Sequence, residues 1–437
     1  MNGHCATTNT ASGASRATHL AKIIGESTAK IEVYRQEQGL PPLSLGPDAP
    51  LDVKYPPHIE QHRRSLIDAS LELGDLATGP VELRLVPGWA VMTMFAVTQF
   101  IFDFDIPHHV PLGTEADRDG GSISYESLAA AVGVGPSVLR QVLRAGMPYH
   151  MFHEPRPGHV AHTATTKVMA RQPLIKDWTG LSNDVLLPGA GGLTEALQKA
   201  PAADDPAQTG FMFARGGGEA GMYMYLEKHP EQARRFAGVM GAFQQDEAYA
   251  PRHLIGSWPE DLQQGGKRLV DLGGSTGTVA FALAEAFPGL EIVVQDLPGA
   301  LKAARTREGK KVAFMPHDFF EEQPVKGADV YLFRWVLHNW PDAHVRRILQ
   351  ALIPSLKPGA KVIIFDEIMP PAGSMSLSVE RNQRNIDFGM LILFNSKIRE
   401  VEEWKQVISQ ADSRFKVADV RYPADSRLSL IEIVWLP

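Results

Sequence analysis

Disulfides within the chain are excluded at once, because its 437 residues contain a single cysteine, Cys5. That scarcity fits a reducing, cytoplasmic setting. Positive charge is also in short supply. Lys and Arg total 43 against 50 Asp and Glu, giving a net charge of −7. A balance of that sign argues against a constitutive binder of nucleic acid or of an anionic membrane. Long apolar runs are missing too. The longest, WAVMTMFAVTQFIF at 89–102, is interrupted by Thr93, Thr98 and Gln99. It falls short of the ~20 residues that span a bilayer, and reads as a buried helix or part of a subunit interface. The first residues, MNGHCATTNTASGASRATHL, lack the basic start and apolar core of a secretory signal. His108-His109, His159, His162 and His344 show no ligand spacing, so no metal centre is expected.

What remains is the composition of a globular protein, with 44% apolar and 21% charged residues. The length suits two cores. Residues 1–15 are small and polar and read as disordered, and 16–38 have helical periodicity. A Pro/Gly-rich connection (39–57) leads to two further helices over 58–105. ISYESLAAAVGVGPSVLRQVLRAG (123–146) has the outline of a helix-turn-helix, with Val138, Leu139, Val142 and Leu143 on one face of its second helix. A hairpin with a PRPG turn follows, which makes a winged helix. Residues 174–265 are helical, broken at LPGAGG (187–192) and ARGGGEAG (214–221).

From Lys267 strands alternate with helices. KRLVDLG, LEIVVQDLP, VAFMPHDFF, DVYLFRWVL and KVIIFDEIMP are apolar, and PDAHVRRILQALIPSLKPG carries Val345, Ile348, Leu349, Leu352 and Leu356 as one stripe. Such βα units define a doubly wound α/β fold with a Rossmann-like sheet, and a C-terminal antiparallel hairpin brings it to seven strands.

In open sheets of this kind ligands bind at the carboxyl ends of the strands. LVDLGGSTGTVAFALAEAF (269–287) is a strand, a glycine loop and a helix, in which Gly273, Gly274 and Gly277 allow close backbone approach. Asp296 ends the next strand, 25 residues after Asp271, near the spacing at which an acid grips ribose hydroxyls. Asp271 itself suits a cationic amino acid moiety better than a pyrophosphate. That favours S-adenosylmethionine over NAD. Asp318 can accept from an adenine amino group, with Phe319 or Phe320 against the ring. Arg334 can lie under the adenosine or the methionine carboxylate.

DLGGSTG, QDLP, PHDFF, FRWVLHNWPD and KPGAKVIIFDEIMP together resemble the motif series of fungal and plant small-molecule O-methyltransferases of the caffeate and sterigmatocystin type. The resemblance implies S-adenosylmethionine as cofactor, contacted by Gly273, Asp296, Asp318 and Arg334; Gly274 and Phe319 stand beside these as further candidates. It implies His338 as general base, and Asp366, at the end of the next strand, can hold the imidazole's other nitrogen. It also implies a homodimer with intertwined N-terminal helices, and no nucleic-acid or membrane partner. The expected domains are a helical dimerisation and winged-helix region over 16–210 and a cofactor-binding methyltransferase domain over 211–437. By the same match Phe236, Met240, Asn339, Met390, Leu391, Phe394 and Asn395 line a pocket for a small aromatic substrate. One family position departs: a second carboxylate is matched by Ile398.

The chemistry at His338 follows from acidity. An unperturbed phenol, with pKa about 10, is ionised at neutral pH in only about one molecule per thousand. A positioned imidazole that takes the proton contributes ~10²–10⁴-fold. The expected activity is methylation of a phenolic, polyketide-derived secondary metabolite. The alternative, which Ile398 favours, keeps the cofactor as a fixed charge and catalyses a non-methylating dehydration or pericyclic reaction.

Overall fold

The computed structural model describes residues 15–113, 121–218, 220–263 and 265–437. Of the expected disordered segment 1–15, all but Ser15 lies outside the described residues. The chain forms two compact units, Met1–Asp184 with Ala372–Asn382, and Val185–Pro371 with Gln383–Pro437. The division thus falls before residue 210, and a short later segment joins the first unit.

In the first unit the helix Arg16–Glu37 starts at Ser15, whose Oγ accepts from the Thr18 N–H at 3.2 Å. The helix Pro57–Asp103 is interrupted at Gly79, with φ 72° and ψ 166°, so two helical stretches run on from one another. Ser124 caps the helix Tyr125–Val132, which stops at Gly133 in the left-handed conformation. Pro136 opens the second helix, Pro136–Gly146, which buries Leu139, Leu143 and Gly146. Val138, expected on that face, is 52% exposed because the buried stripe runs i, i+4, i+7 from Leu139. The wing is reduced. β1 (Ile123–Ser124) pairs antiparallel with β2 (His159–Val160), and the expected hairpin keeps only a bridge between His153 and Ala161. Pro155 and Pro157 have no N–H to extend it. Among the described residues no single helix is long and apolar enough to cross a membrane.

The second unit opens with the helix Leu187–Lys199, which takes in LPGAGG rather than breaking there. Close packing overrides the glycine penalty. A Cβ at Gly210 would lie 2.4 Å from the Gly189 carbonyl oxygen, and one at Gly192 would lie 2.5 Å from that of Gly210. ARGGGEAG does break the chain, with Gly216, Gly217, Gly218 and Gly221 all at positive φ.

The sheet has seven strands: β3 (Arg268–Leu272), β4 (Glu291–Asp296), β5 (Val312–Pro316), β6 (Val330–Arg334), β7 (Lys361–Asp366), β8 (Phe415–Arg421) and β9 (Ser429–Trp435). Their order is β5-β4-β3-β6-β7-β9-β8, parallel up to β7 and antiparallel at the β9–β8 end. Central strands read as continuous apolar runs because both faces are covered. One face packs on the helices Asp342–Leu352 and Val401–Ala411, which bury Val345, Ile348, Leu349, Trp404, Val407 and Ile408. The other packs on Thr278–Ala286. The strand order reverses between β3 and β6, so the crevice of this fold opens where those two strands end.

Gly210→Ala places a methyl against a carbonyl that has no room to retreat. It is expected to destabilise the protein by ~1–3 kcal/mol, read by calorimetry as a Tm lower by several degrees. An unchanged Tm would show that the two helices part without cost.

Candidate active site

β3 delivers Asp271 and the glycine loop to the crevice. Gly273 has φ 74°, and a Cβ there would lie 2.8 Å from Val336. At Gly274 a Cβ would lie 2.5 Å from Asp271 Oδ2. A side chain at either position would collide with the residues packed behind the loop. Gly273, Gly274, Ser275, Thr276, Thr278 and Val279 line a recess together with Pro251, Asp271, Arg334 and Trp335. Asp271 is buried, and its Oδ2 has no hydrogen-bond partner among the described residues. Burial pushes its carboxyl up to about 7 against the pull of Arg334. A cation in the recess would restore the charge. The Arg334 Nε and the Trp335 Nε1 are likewise buried without partners, while Arg334 Nη2 donates to the Tyr249 carbonyl at 2.6 Å.

The other acids are placed less evenly. Asp296, at the end of β4, accepts from the Ser275 N–H at 2.9 Å and the Leu297 N–H at 2.8 Å, which fixes it beside the glycine loop. Burial raises its carboxyl above the ordinary value. Asp318 follows β5 and accepts from the Phe320 N–H at 3.0 Å, outside the residues that line the recess. Phe319 packs on Phe320 and Trp340, with ring centroids 5.2 and 5.9 Å away.

β6 ends at Arg334, and Trp335 takes φ 56°, an unusual value for a bulky residue. The turn Leu337–Asn339 then presents His338, which is buried. Its Nδ1 lies 2.5 Å from Asp366 Oδ1 at the end of β7, and its backbone N–H donates to Oδ2 at 3.2 Å. A carboxylate can only accept, so Nδ1 carries the proton and Nε2 is left with its lone pair. Burial alone would depress the imidazole, but the Asp366 charge and hydrogen bond outweigh it and raise the pKa above the ordinary histidine value. Asn339 is half-buried beside it.

Of the remaining pocket residues, Phe236 and Met240 are half-buried on the helix Pro230–Gln245. Phe243, one turn on, continues their stripe and meets Trp335 at 5.8 Å between centroids. Met390 and Leu391 are half-buried, and Phe394 packs against Tyr223 at 5.7 Å. Asn395 is engaged elsewhere: its amide donates to the Asp205 carbonyl at 2.8 Å.

Several residues of the site carry no signature of their own. Arg399 and Ser396 hold the His338 turn, and Tyr249 holds Arg334. Arg399 stands in the NSKIRE stretch, whose one sequence signal is the missing carboxylate. Glu367 stands directly after Asp366. Tyr249 has no sequence cue at all.

A glycine-lined recess at the β3 loop, beside a histidine–carboxylate pair at the ends of β6 and β7, is the arrangement expected of an O-methyltransferase. Residues 198–414 match the O-methyltransferase domain family. O-methyltransferase gsfB of Penicillium aethiopicum is 72% identical over 98% of this chain and 100% of its own length. A chlorophenol O-methyltransferase of Trichoderma longibrachiatum is 34% identical, over 98% of this chain and 91% of its own. Among solved structures, OxaC superposes with TM-score 0.71 at 19% identity, covering 96% of this chain and 100% of OxaC. LepI in complex with SAM gives 0.67 at 21%, covering 95% and 100%. At that identity the last two speak for the fold alone. The chain belongs to the S-adenosylmethionine-dependent O-methyltransferases of fungal secondary metabolism.

If Asp296 grips the cofactor, Asp296→Ala should weaken S-adenosylmethionine binding by ~10- to 150-fold. This is the worth of one hydrogen bond to a charged group, ~1.5–3 kcal/mol. Calorimetric titration reads it, and an unchanged Kd would place the ribose elsewhere.

Proposed function

We propose that this O-methyltransferase acts on a phenolic hydroxyl, with His338 as general base and Asp366 as its orienting acid. One observation carries the reading. At the carboxyl end of β6 an imidazole has its Nδ1–H pinned to a buried carboxylate, and its Nε2 bears no hydrogen bond among the described residues. Asp271, Gly273, Gly274, Asp296 and Arg334 would hold S-adenosylmethionine, which supplies an electrophilic methyl group when bound. His338 Nε2 takes the phenol proton, and Asp366 balances the imidazolium that results. Trp335 separates the two parts of the site, its ring 5.6 Å from the imidazole. The stripe of Phe236 and Met240, with Met390 and Leu391, offers apolar surface to a flat aromatic, and Asn339 offers it an amide. The name of the chlorophenol-methylating relative supports a phenol as acceptor class.

His338→Ala should lower turnover by ~10²–10⁴-fold with little change in cofactor affinity. Asp366→Asn should also fall steeply, because an amide permits the wrong tautomer and cannot balance the imidazolium. The base works unprotonated and its pKa is raised, so the rate should climb with pH through a limb above the ordinary histidine value. An acidic phenol at high pH should partly rescue both variants. The measurement is the demethylated cofactor formed beside methylated product, and conversion without loss of the cofactor's methyl would refute methyl transfer to this acceptor.

The homodimer is part of the same proposal. On the Gly88–Asp103 stretch Trp89, Val91 and Met92 are 75%, 63% and 60% exposed. A neighbouring cluster of apolar side chains on one helix is a surface that association would bury. Light scattering should give twice the chain mass, and Trp89→Glu should shift it towards the monomer. A monomeric parent at micromolar concentration would end this part of the reading.

A further inference from the structure

Glu367 is a buried acid for which the proposed chemistry has no use. It follows Asp366 at the end of β7 and is 1% exposed. Both oxygens accept: the Tyr249 hydroxyl donates to Oε1 at 3.0 Å and the Gln383 amide to Oε2 at 2.7 Å. Arg427 Nη1 donates to Gln383 Oε1 at 3.0 Å, so the amide must turn its NH2 towards Glu367. With a donor on each oxygen, the bonds favour the ionised carboxylate. Burial works the other way and raises its pKa. Tyr249 carries this anchorage to the site. Its ring lies 4.8 Å from Trp335, whose ring meets His338, and its carbonyl receives Arg334.

Ile398 stands where the family resemblance implies a second carboxylate. Its side chain is buried and apolar, and its N–H donates to Asp387 at 2.7 Å. We infer that Glu367 acts in its place as a positioning residue for His338. It is the second buried carboxylate at the end of β7, directly after Asp366, and it braces Trp335 through Tyr249. The inference rests on His338 being the base.

The charges around the pair are accounted for. Asp366 pairs with His338 from the end of β7, and the charges of Glu367 and Arg399 also act on it. Asp342 pairs with Arg399 and offsets its charge. Tyr249 and Gln383 donate to Glu367, and the charges of His338 and Asp366 act on it, while those of Arg427 and Asp246 act on Tyr249. Arg334, at the end of β6, acts on Asp366 in turn, and it completes the charges around the pair.

The test is the titration of the His338 imidazole in the full-length protein, followed by NMR of labelled histidine with His338→Ala for assignment. Glu367→Gln removes the charge and keeps the size, and should lower the midpoint by about 1 unit. Glu367→Asp, which keeps the charge, should stay near the parent. Glu367→Ser is a second neutral variant should the amide fail to fold. Where the native acceptor or a chlorinated phenol is turned over, the limb of kcat against pH should move down by the same amount. An unmoved midpoint in a folded neutral variant, even with a lower Tm, would make Glu367 a scaffold residue and overturn the inference. Undiminished methyl transfer by His338→Ala would instead remove the base reading, whatever the titration shows.

Discussion

The position of His338 depends on a guanidinium that never reaches the crevice. Arg399 is fully buried. Its Nη2 donates to the Trp340 carbonyl at 2.8 Å, its Nη1 to that of Leu337 at 3.3 Å, and its Nε to Asp342 Oδ1 at 2.8 Å. Ser396 Oγ adds 2.6 and 2.8 Å contacts to the His338 and Trp340 carbonyls. A short turn at the end of a buried strand has carbonyls that its own helix cannot satisfy, and leaving them bare costs ~1–3 kcal/mol each. Arg399 and Ser396 meet that need from a segment some sixty residues later. The same bonds stop the turn from relaxing, so the left-handed Trp335 persists where an unsupported chain would abandon it.

Around this anchor the buried charges fall into two groups that meet at one indole. Asp271 and Arg334 belong to the recess, and Asp366, Glu367 and His338 to the strand ends beside it. The second group is internally balanced, since each acid has donors and the imidazole has its carboxylate. The first is not. Asp271 Oδ2 and Arg334 Nε are buried without partners among the described residues. An unpaired buried carboxylate is costly, so what the recess lacks is a cationic group with donors, next to an anionic one. The amino acid moiety of S-adenosylmethionine has both.

The sheet, its switch point and the acids at its strand ends were legible because each rests on local pattern. Continuous apolar runs gave β3 to β7, Gly273 and Gly274 marked the loop, and a strand ending in Arg334, Trp335 and His338 could not be plain core. What escaped depends on contacts between distant residues. LPGAGG reads as a break, yet Gly189 and Gly192 lie inside a helix because Gly210 packs against them. The Asn395 amide also donates to the carbonyl of Asp205, a partner far off in sequence that no local pattern announces. Tyr249 shows nothing in sequence that tells it from a core aromatic. Its place behind Arg334 exists only once β6 and β7 are side by side.

The topology explains why one fold can hold a cofactor tightly and still accept varied substrates. Most of the recess comes from β3 and the loop between β3 and the Thr278–Ala286 helix, with Pro251, Arg334 and Trp335 completing its lining, and at Gly273 and Gly274 a Cβ would collide with Val336 and Asp271. The proposed proton chemistry comes from β6 and β7, whose side chains are locked by the register that pairs Phe333 with Ile364 and Arg334 with Phe365. Phe236, Met240, Met390 and Leu391 belong to neither set. They sit half-buried on the helices Pro230–Gln245 and Leu377–Phe394, outside the sheet. On the proposed reading, a change in their size would alter the shape offered to an acceptor and leave the His338–Asp366 pair where the buried guanidinium of Arg399 holds its turn.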